Sequence, residues 1–267
     1  FQDELKILKV TRTLNEHHPI DIVPTFLGAH TVPKEFRNDR RRYIDLVTQE
    51  MIPRVAQEGL AEFCDVFCEE NAFTLEESRK ILETGKQYGL KPKIHADQLS
   101  PGGGAELAAE IGAYSADHLE YISPTGIERM AEKGVTAVLL PGASFFLSME
   151  KFPPAREMIE KRVAVALATD LNPGSSMTES LPLMMTMGCT MFRMTPKEVI
   201  LATTIHAAKS MGRENKIGSL DIGKQADIQI LDIPNYRYLP YHFGVAHVEM
   251  VIKKGRVAYK KPITNEQ

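Results

Sequence analysis

Short apolar runs followed by amphipathic stretches recur along this chain. Runs rich in Val, Ile, Phe and Ala predict strands at 21–29, 61–68, 91–96, 114–119, 136–141 and 164–169. After each run, apolar residues return at intervals of three and four. This predicts helices at 40–58, 75–88, 104–111, 124–133, 154–161 and 180–189, behind a leading helix at 4–15. Thr74 followed by Glu77 makes a capping box at the head of one of them. Strands alternating with helices at this spacing signal βαβ units and a parallel sheet, hence an α/β fold of the TIM-like barrel type. A closed barrel of this kind has eight strands, and six strand–helix units are countable here. The leading helix reads as the end of a unit whose strand lies upstream. The expectation is therefore a barrel lacking its first two strands, with strands three to eight present.

The pattern changes towards the C-terminal end. Helices at 196–203 and 205–211 give way to runs at 226–231, 246–253 and 256–259 that alternate like antiparallel strands, punctuated by Gly223, Gly244 and Gly255. The chain divides on this reading into a barrel portion, 1–212, and a small β-sandwich appendage, 213–267.

Composition narrows the function classes. With 267 residues, 43% of them hydrophobic, the chain can bury a large core. The net charge of −3 comes from mixed acids and bases, and no basic stripe suits a nucleic acid. Arg37, Arg40, Arg41 and Arg42 sit among Asp39, Asp45 and Glu50, as a solvated helix start does. The most apolar stretch, 135–147, is broken by Pro141 and Gly142 and falls short of the roughly 18 residues that span a bilayer. The expected partner is a small-molecule substrate, with neither nucleic acid nor membrane. Three cysteines, an odd and sparse count, argue against a disulfide scaffold and suit a reducing cytoplasm. Cys64 and Cys68 share one face of a strand and lack a second pair to complete a zinc site, so buried, inert thiols are expected.

In a parallel barrel the active site lies at the C-terminal ends of the strands. Those ends carry His30; Glu69; His95, Asp97 and Gln98; Asp117, His118 and Glu120; Pro141; and Asp170 with Asn172. A lone histidine there is often a hydrogen-bonded structural residue, and a lone aspartate is often the cap of the next helix. Three histidines and Asp170 converging on one rim favour a metal site instead. Imidazole with carboxylate suits zinc or iron rather than magnesium. His17, His18, His206, His242 and His247 lie outside this rim. The loop 171–176 offers backbone N–H groups that could hold a substrate carboxylate, or it is a plain Asn-Pro-Gly turn. Pro101-Gly102-Gly103-Gly104 lacks the spacing of a dinucleotide fingerprint and reads as a rim loop or helix lead-in.

Several stretches carry a family resemblance: Phe-Leu-Gly-Ala-His30, Lys-Ile-His95-Ala-Asp-Gln98-Leu-Ser, Ser-Ala-Asp-His118-Leu-Glu-Tyr, Ala-Thr-Asp170-Leu-Asn172-Pro-Gly174-Ser175 and Ile-Gly-Ser-Leu-Asp-Ile-Gly-Lys-Gln-Ala-Asp227. Together they resemble the imidazolonepropionases of the amidohydrolase superfamily, over nearly the whole chain. The last stretch is shared widely in that superfamily; the two around His95 and Asp170 are more specific. The resemblance implies metal-dependent hydrolysis of the cyclic amide of 4-imidazolone-5-propanoate to N-formimidoyl-L-glutamate, a step of histidine breakdown. It implies His95 and Asp170 as ligands of a zinc or iron ion, and His118 near the reacting group. It places His30, Gln98, Asn172, Gly174 and Ser175 against substrate or product. The sequence departs from the family in having no His-x-His pair, which supplies two further ligands at the first strand, and in lacking the upstream substrate-binding Arg and Tyr. This agrees with the strand count and leads to the expectation of a fragment or a truncated product.

The implied chemistry is attack of a metal-activated hydroxide on the ring carbonyl. Asp170 would accept the water's proton, and His118 would stabilise the oxyanion. Related deaminases place a Glu where Gln98 stands; Gln has no titratable proton, which counts against nucleobase deamination. The alternatives are another cyclic-amide hydrolase or deaminase, or an inactive remnant that needs its missing part. An open barrel also exposes two strand edges, which invites association, a homodimer included.

Overall fold

The computed structural model describes residues 1–262. In chain order the elements are α1 (Gln2–His17), β1 (Thr25–Ala29), α2 (Arg40–Leu46), α3 (Ile52–Gln57), β2 (Phe63–Cys68), α4 (Leu75–Gln87), β3 (Lys91–Ala96), α5 (Gly104–Ile111), β4 (Ser115–His118), α6 (Pro124–Lys133), β5 (Thr136–Leu139), α7 (Pro141–Phe146), α8 (Ala155–Glu160), β6 (Val165–Leu167), α9 (Leu181–Thr190), α10 (Pro196–Ala202), α11 (Ile205–Ser210), β7 (Ile228–Leu231), α12 (Tyr238–Tyr241), β8 (Val248–Lys253) and β9 (Arg256–Lys260). The helix expected over 40–58 is interrupted by a π-helical turn at Val47–Met51. A separate antiparallel sheet, β7-β8-β9, accompanies a six-stranded sheet whose order is its sequence order, and every pairing from β1 to β5 is parallel. Among the described residues no helix is long and apolar enough to cross a membrane.

Packing divides the chain into two units: residues 1–139 with 150–165, and residues 140–149 with 166–267. The division proposed from sequence, at 212/213, rests on strand type instead, and the three antiparallel strands all fall in its later segment.

In the first unit, strand alternation sorts side chains onto two faces. Cys64, Ile94, Ala96, Ala116 and Ala137 are fully buried. A Cβ on Gly85 of α4 would stand 2.8 Å from Cys64 Cβ, and one on Gly104 of α5 would stand 2.7 Å from Ala96 Cβ. That face is therefore the helix-covered one. The opposite face carries Asp65 and Phe67 of β2, His95 of β3 and Asp117 of β4, with Phe67 beside His95 and His95 beside Asp117 in register. The thiols of Cys64 and Cys68 are buried and free, as expected.

Helix starts follow local chemistry. Thr74 Oγ1 accepts from Glu77 N at 3.2 Å and Glu77 Oε2 accepts from Thr74 N at 2.9 Å, closing the expected capping box. Arg40, at the head of α2, donates to the same Glu77 carboxylate at 2.6 Å. The start of α5 is non-local. Gly103, its N-cap, has no side chain, and Asp97 serves in its place by accepting from Gly102 N, Gly104 N and Ala105 N at 2.9, 3.2 and 2.9 Å.

In the second unit, Gly188 of α9 lies tight on Leu167 of β6, and Thr186 Oγ1 of α9 donates to Pro240 O of α12 at 3.1 Å. Thr195 and Glu198 form a second capping box, at α10. Lys254 and Gly255, both at positive φ, make the two-residue turn between β8 and β9. Asp227 anchors that hairpin by accepting from Lys253 Nζ at 2.5 Å and Lys254 N at 2.9 Å.

Two local expectations are corrected. The strand expected to reach residue 141 stops at Leu139, because Pro141 is preset for a helix N-terminus and opens α7. His17 is the last residue of α1 rather than part of the loop after it. After the loop at 171–176, α9 begins at Leu181 with Ser180 as its cap, within one residue of the expected start.

Candidate functional site

The first unit gathers His30, His95, Gln98 and His118 at or just past the ends of β1, β3 and β4. His95, half-buried, is the hub. Its ring lies 5.4 Å from that of His118 and 6.1 Å from those of His30 and Phe67, centroid to centroid. His30 stacks on Phe67 at 5.4 Å and 19°. Gln98 is buried three residues past His95. The segment after it is held by Glu69, whose carboxylate accepts from Leu99 N at 2.8 Å and from the Ser100 hydroxyl.

Below His95 lies a residue that strand-end reasoning passed over. Asp65, 4% exposed in the middle of β2, has Oδ1 3.0 Å from His95 Nδ1. Asp65, His95 and Asp117 form a group whose ligand atoms all lie within 4.8 Å of one another. Oδ1 of Asp117 is buried and has no hydrogen-bond partner. Burial, and then the charge of Asp65, raise the Asp117 carboxyl above its usual range, while Lys93 and His95 pull it back. Imidazole and carboxylate are the donor types that zinc or iron takes, and His95 brings the imidazole. A charged residue at a period-2 position opposite Cys64 was the available signal for Asp65, and the same alternation marks Phe67.

His118 is 3% exposed, and its Nδ1 has no hydrogen-bond partner. Burial first, then the neighbouring His95 and His30, hold its pKa well below the ordinary histidine value. It is a neutral imidazole across the physiological range, with one donor and one acceptor nitrogen. Its backbone is unusual: His118 and Leu119 both have positive φ, 78° and 72°. Left-handed backbone at non-glycine residues costs on the order of 1–3 kcal/mol each and persists where surrounding contacts fix it. Here Leu119 N donates to Ala96 O at 3.1 Å and Tyr121 N to Asp97 O at 2.7 Å.

Two acids counted at the strand ends have structural uses. Asp97 spends its carboxylate on the α5 start, and Glu69 spends its own on the loop after β3. Both are buried, and each satisfies backbone donors that burial would otherwise leave bare.

The second unit holds Asp170, Asn172, Gly174 and Ser175. Asp170 follows β6 with φ 52°. Its carbonyl accepts from Asn172 Nδ2 at 2.7 Å. Asn172 Oδ1 accepts from Gly174 N and Ser175 N, both at 2.8 Å, and Ser176 Oγ donates to Thr169 O at 2.6 Å. The loop is an Asx turn closed by its own side chain. Two of the loop's backbone donors, Gly174 N and Ser175 N, are engaged inside it.

Comparison with known proteins agrees with this architecture. Residues 26–258 match the model of the amidohydrolase family. The chain is 55% identical over 264 residues to the imidazolonepropionase of Shouchella clausii (strain KSM-K16), covering 99% of this chain and 59% of that protein. It is 56% identical over 257 residues to the imidazolonepropionase of Geobacillus thermodenitrificans (strain NG80-2), covering 96% and 60%. The chain thus spans about 60% of the length of these curated relatives. In fold it is similar to a zinc-bound adenosine deaminase from Xanthomonas campestris, with TM-score 0.73, 17% identity, and coverage of 94% of this chain and 63% of that one. It is similar also to a triazine hydrolase variant, with TM-score 0.73, 15% identity, and coverage of 97% and 66%.

Proposed function

For this chain, which belongs to the amidohydrolase family and has its parallel α/β barrel architecture, we propose the metal-dependent hydrolysis of the cyclic amide of 4-imidazolone-5-propanoate to N-formimidoyl-L-glutamate. The observation that carries the reading is the pairing of His95, set among two carboxylates, with a neutral buried His118 one ring away. About 55% identity to imidazolonepropionases over almost the whole chain supports the choice of substrate.

His95 would hold the metal, zinc or iron, and Asp170 would join it on the strength of the sequence resemblance. When bound, the metal supplies a Lewis acid and lowers the pKa of a bound water from ~16 to ~7. Asp170 would take the proton that this water gives up and return it to the ring nitrogen as the C–N bond breaks and the ring opens. His118, kept neutral by burial, would donate a hydrogen bond to the ring carbonyl oxygen as it gains charge. A preorganised donor in a dry site stabilises the developing oxyanion without reorganising. Gln98 would orient the ring amide and cannot move a proton. His30, Asn172, Gly174 and Ser175 are proposed to contact substrate on the resemblance. The bonding of Asn172 supports a loop-shaping role for it as well.

The test is an assay of the metal-loaded full-length protein against 4-imidazolone-5-propanoate, cyclic ureides and purines. Turnover of the imidazolone well above the rest is expected. A purine or ureide turned over at the higher kcat/KM would overturn the assignment.

A further inference from the structure

His95 has a carboxylate against Nδ1, and that carboxylate lies on the strand before it. The register explains the arrangement. Phe67 pairs with His95 and Cys64 with Pro92, so Asp65 falls at the level of Lys93, one side-chain layer nearer the N-terminal ends of the strands than His95. The 3.0 Å contact therefore ties Nδ1 down into the sheet face. A carboxylate oxygen 3.0 Å from Nδ1 is placed to accept from a proton carried on that nitrogen. With the proton on Nδ1 the lone pair falls on Nε2, the ring nitrogen not engaged by Asp65.

Lys93 decides between two uses of the acids. A metal lodged between Asp65, His95 and Asp117 would need both carboxylates as ligands. Lys93 lies beside Asp65 in register, pairs with Ser115, and attracts Asp117. Its attraction for Asp117 from within the same layer opposes a second cation there. From this we infer that Asp65 is a positioning residue: it fixes His95 in the Nδ1–H tautomer, with the lone pair on Nε2. Asp117 and Lys93 complete the charge set beneath it. The inference deepens the metal assignment proposed above and rests on it for its purpose, though not for its geometry.

The geometry can be tested without metal. Long-range 1H–15N spectra of the metal-free protein, with His95 assigned by its loss in His95→Gln, report which nitrogen is protonated. The expected result is Nδ1–H in the wild type and a shift towards Nε2–H, or a mixture, in Asp65→Leu. Asp65→Asn serves if the leucine variant fails to fold; its amide can donate as well as accept, so a mixture is again expected. Wild-type His95 protonated on Nε2, or an unchanged tautomer in the folded variant, overturns the inference. Zinc titration against a competing chelator then reads the purpose. Loss of the positioning carboxylate should weaken zinc about 10- to 100-fold, the usual cost of removing such a partner. Unchanged zinc affinity in a folded Asp65 variant also overturns the inference. If wild type and His95→Gln bind zinc alike, the metal assignment fails while the tautomer result still stands or falls alone.

Discussion

His118 and His95 face each other with ring centroids 5.4 Å apart, yet they occupy opposite electrostatic situations. His95 is bonded to a carboxylate at Nδ1, and His118 Nδ1 has no hydrogen-bond partner in a buried setting. Two adjacent imidazoles are thereby differentiated, one suited to ligation and the other to hydrogen-bond donation.

Replacing His118 by Phe, which has no donor, should separate these roles. Loss of one oxyanion donor lowers kcat by about 100- to 1000-fold. Bound metal should stay at the wild-type level, because His118 is not among the proposed ligands. Steady-state kinetics with metal analysis on the same preparation checks both; activity within tenfold of wild type would remove His118 from the mechanism.

Asp97→Ala should destabilise without touching the chemistry directly. Three backbone N–H groups at the α5 start lose their acceptor in a buried position. A lost cap costs about 1 kcal/mol, and unsatisfied buried donors add to it, so about 2 kcal/mol or more is expected in urea unfolding. A change under 0.5 kcal/mol, on the order of what an ordinary surface substitution gives, would mean that water replaces the carboxylate.

Tyr43 gives a pH signature. Its hydroxyl donates to Gly28 O at 2.5 Å, and burial, followed by the charges of Glu4 and Glu35, pushes its pKa up to about 12. The folded value exceeds the unfolded one of about 10, so its contribution is present below pH 10 and is lost as pH rises through about 12. Tyr43→Phe should be less stable than wild type by about 1 kcal/mol at neutral pH. That gap should close between pH 10 and 12. A gap constant over that window in paired denaturation curves would contradict the assignment.

Thiol labelling tests the burial of β2. Cys64 and Cys68 are buried with raised pKa, the latter up to about 11, and Cys189 is half-buried. A thiol-specific reagent at neutral pH should label Cys189 alone in the native protein and all three cysteines in denaturant. Labelling of Cys64 at a comparable native rate would show that the helix-covered face opens.

What the sequence determined by itself was whatever depends on near neighbours. Period-2 and period-3.6 patterning located the strands and helices, Thr74 and Glu77 announced a capping box, and the spacing of apolar runs implied a parallel α/β sheet with His30, His95 and His118 at strand ends. Those signals are local because backbone hydrogen bonding and side-chain facing repeat within a few residues. The identity of buried partners is a different kind of information. Asp97 reads as a rim acid until α5 packs onto β3 and takes its carboxylate. Pro141 reads as a strand end until the backbone turns into α7. Asp65 reads as a stray charge in an apolar strand until the register of β2 and β3 sets it beneath His95, 30 residues along the chain. Which polar group satisfies which is settled only when strands align, because a buried donor or acceptor must find its partner across the fold, and a one-residue slip would have turned Asp65 to the other face.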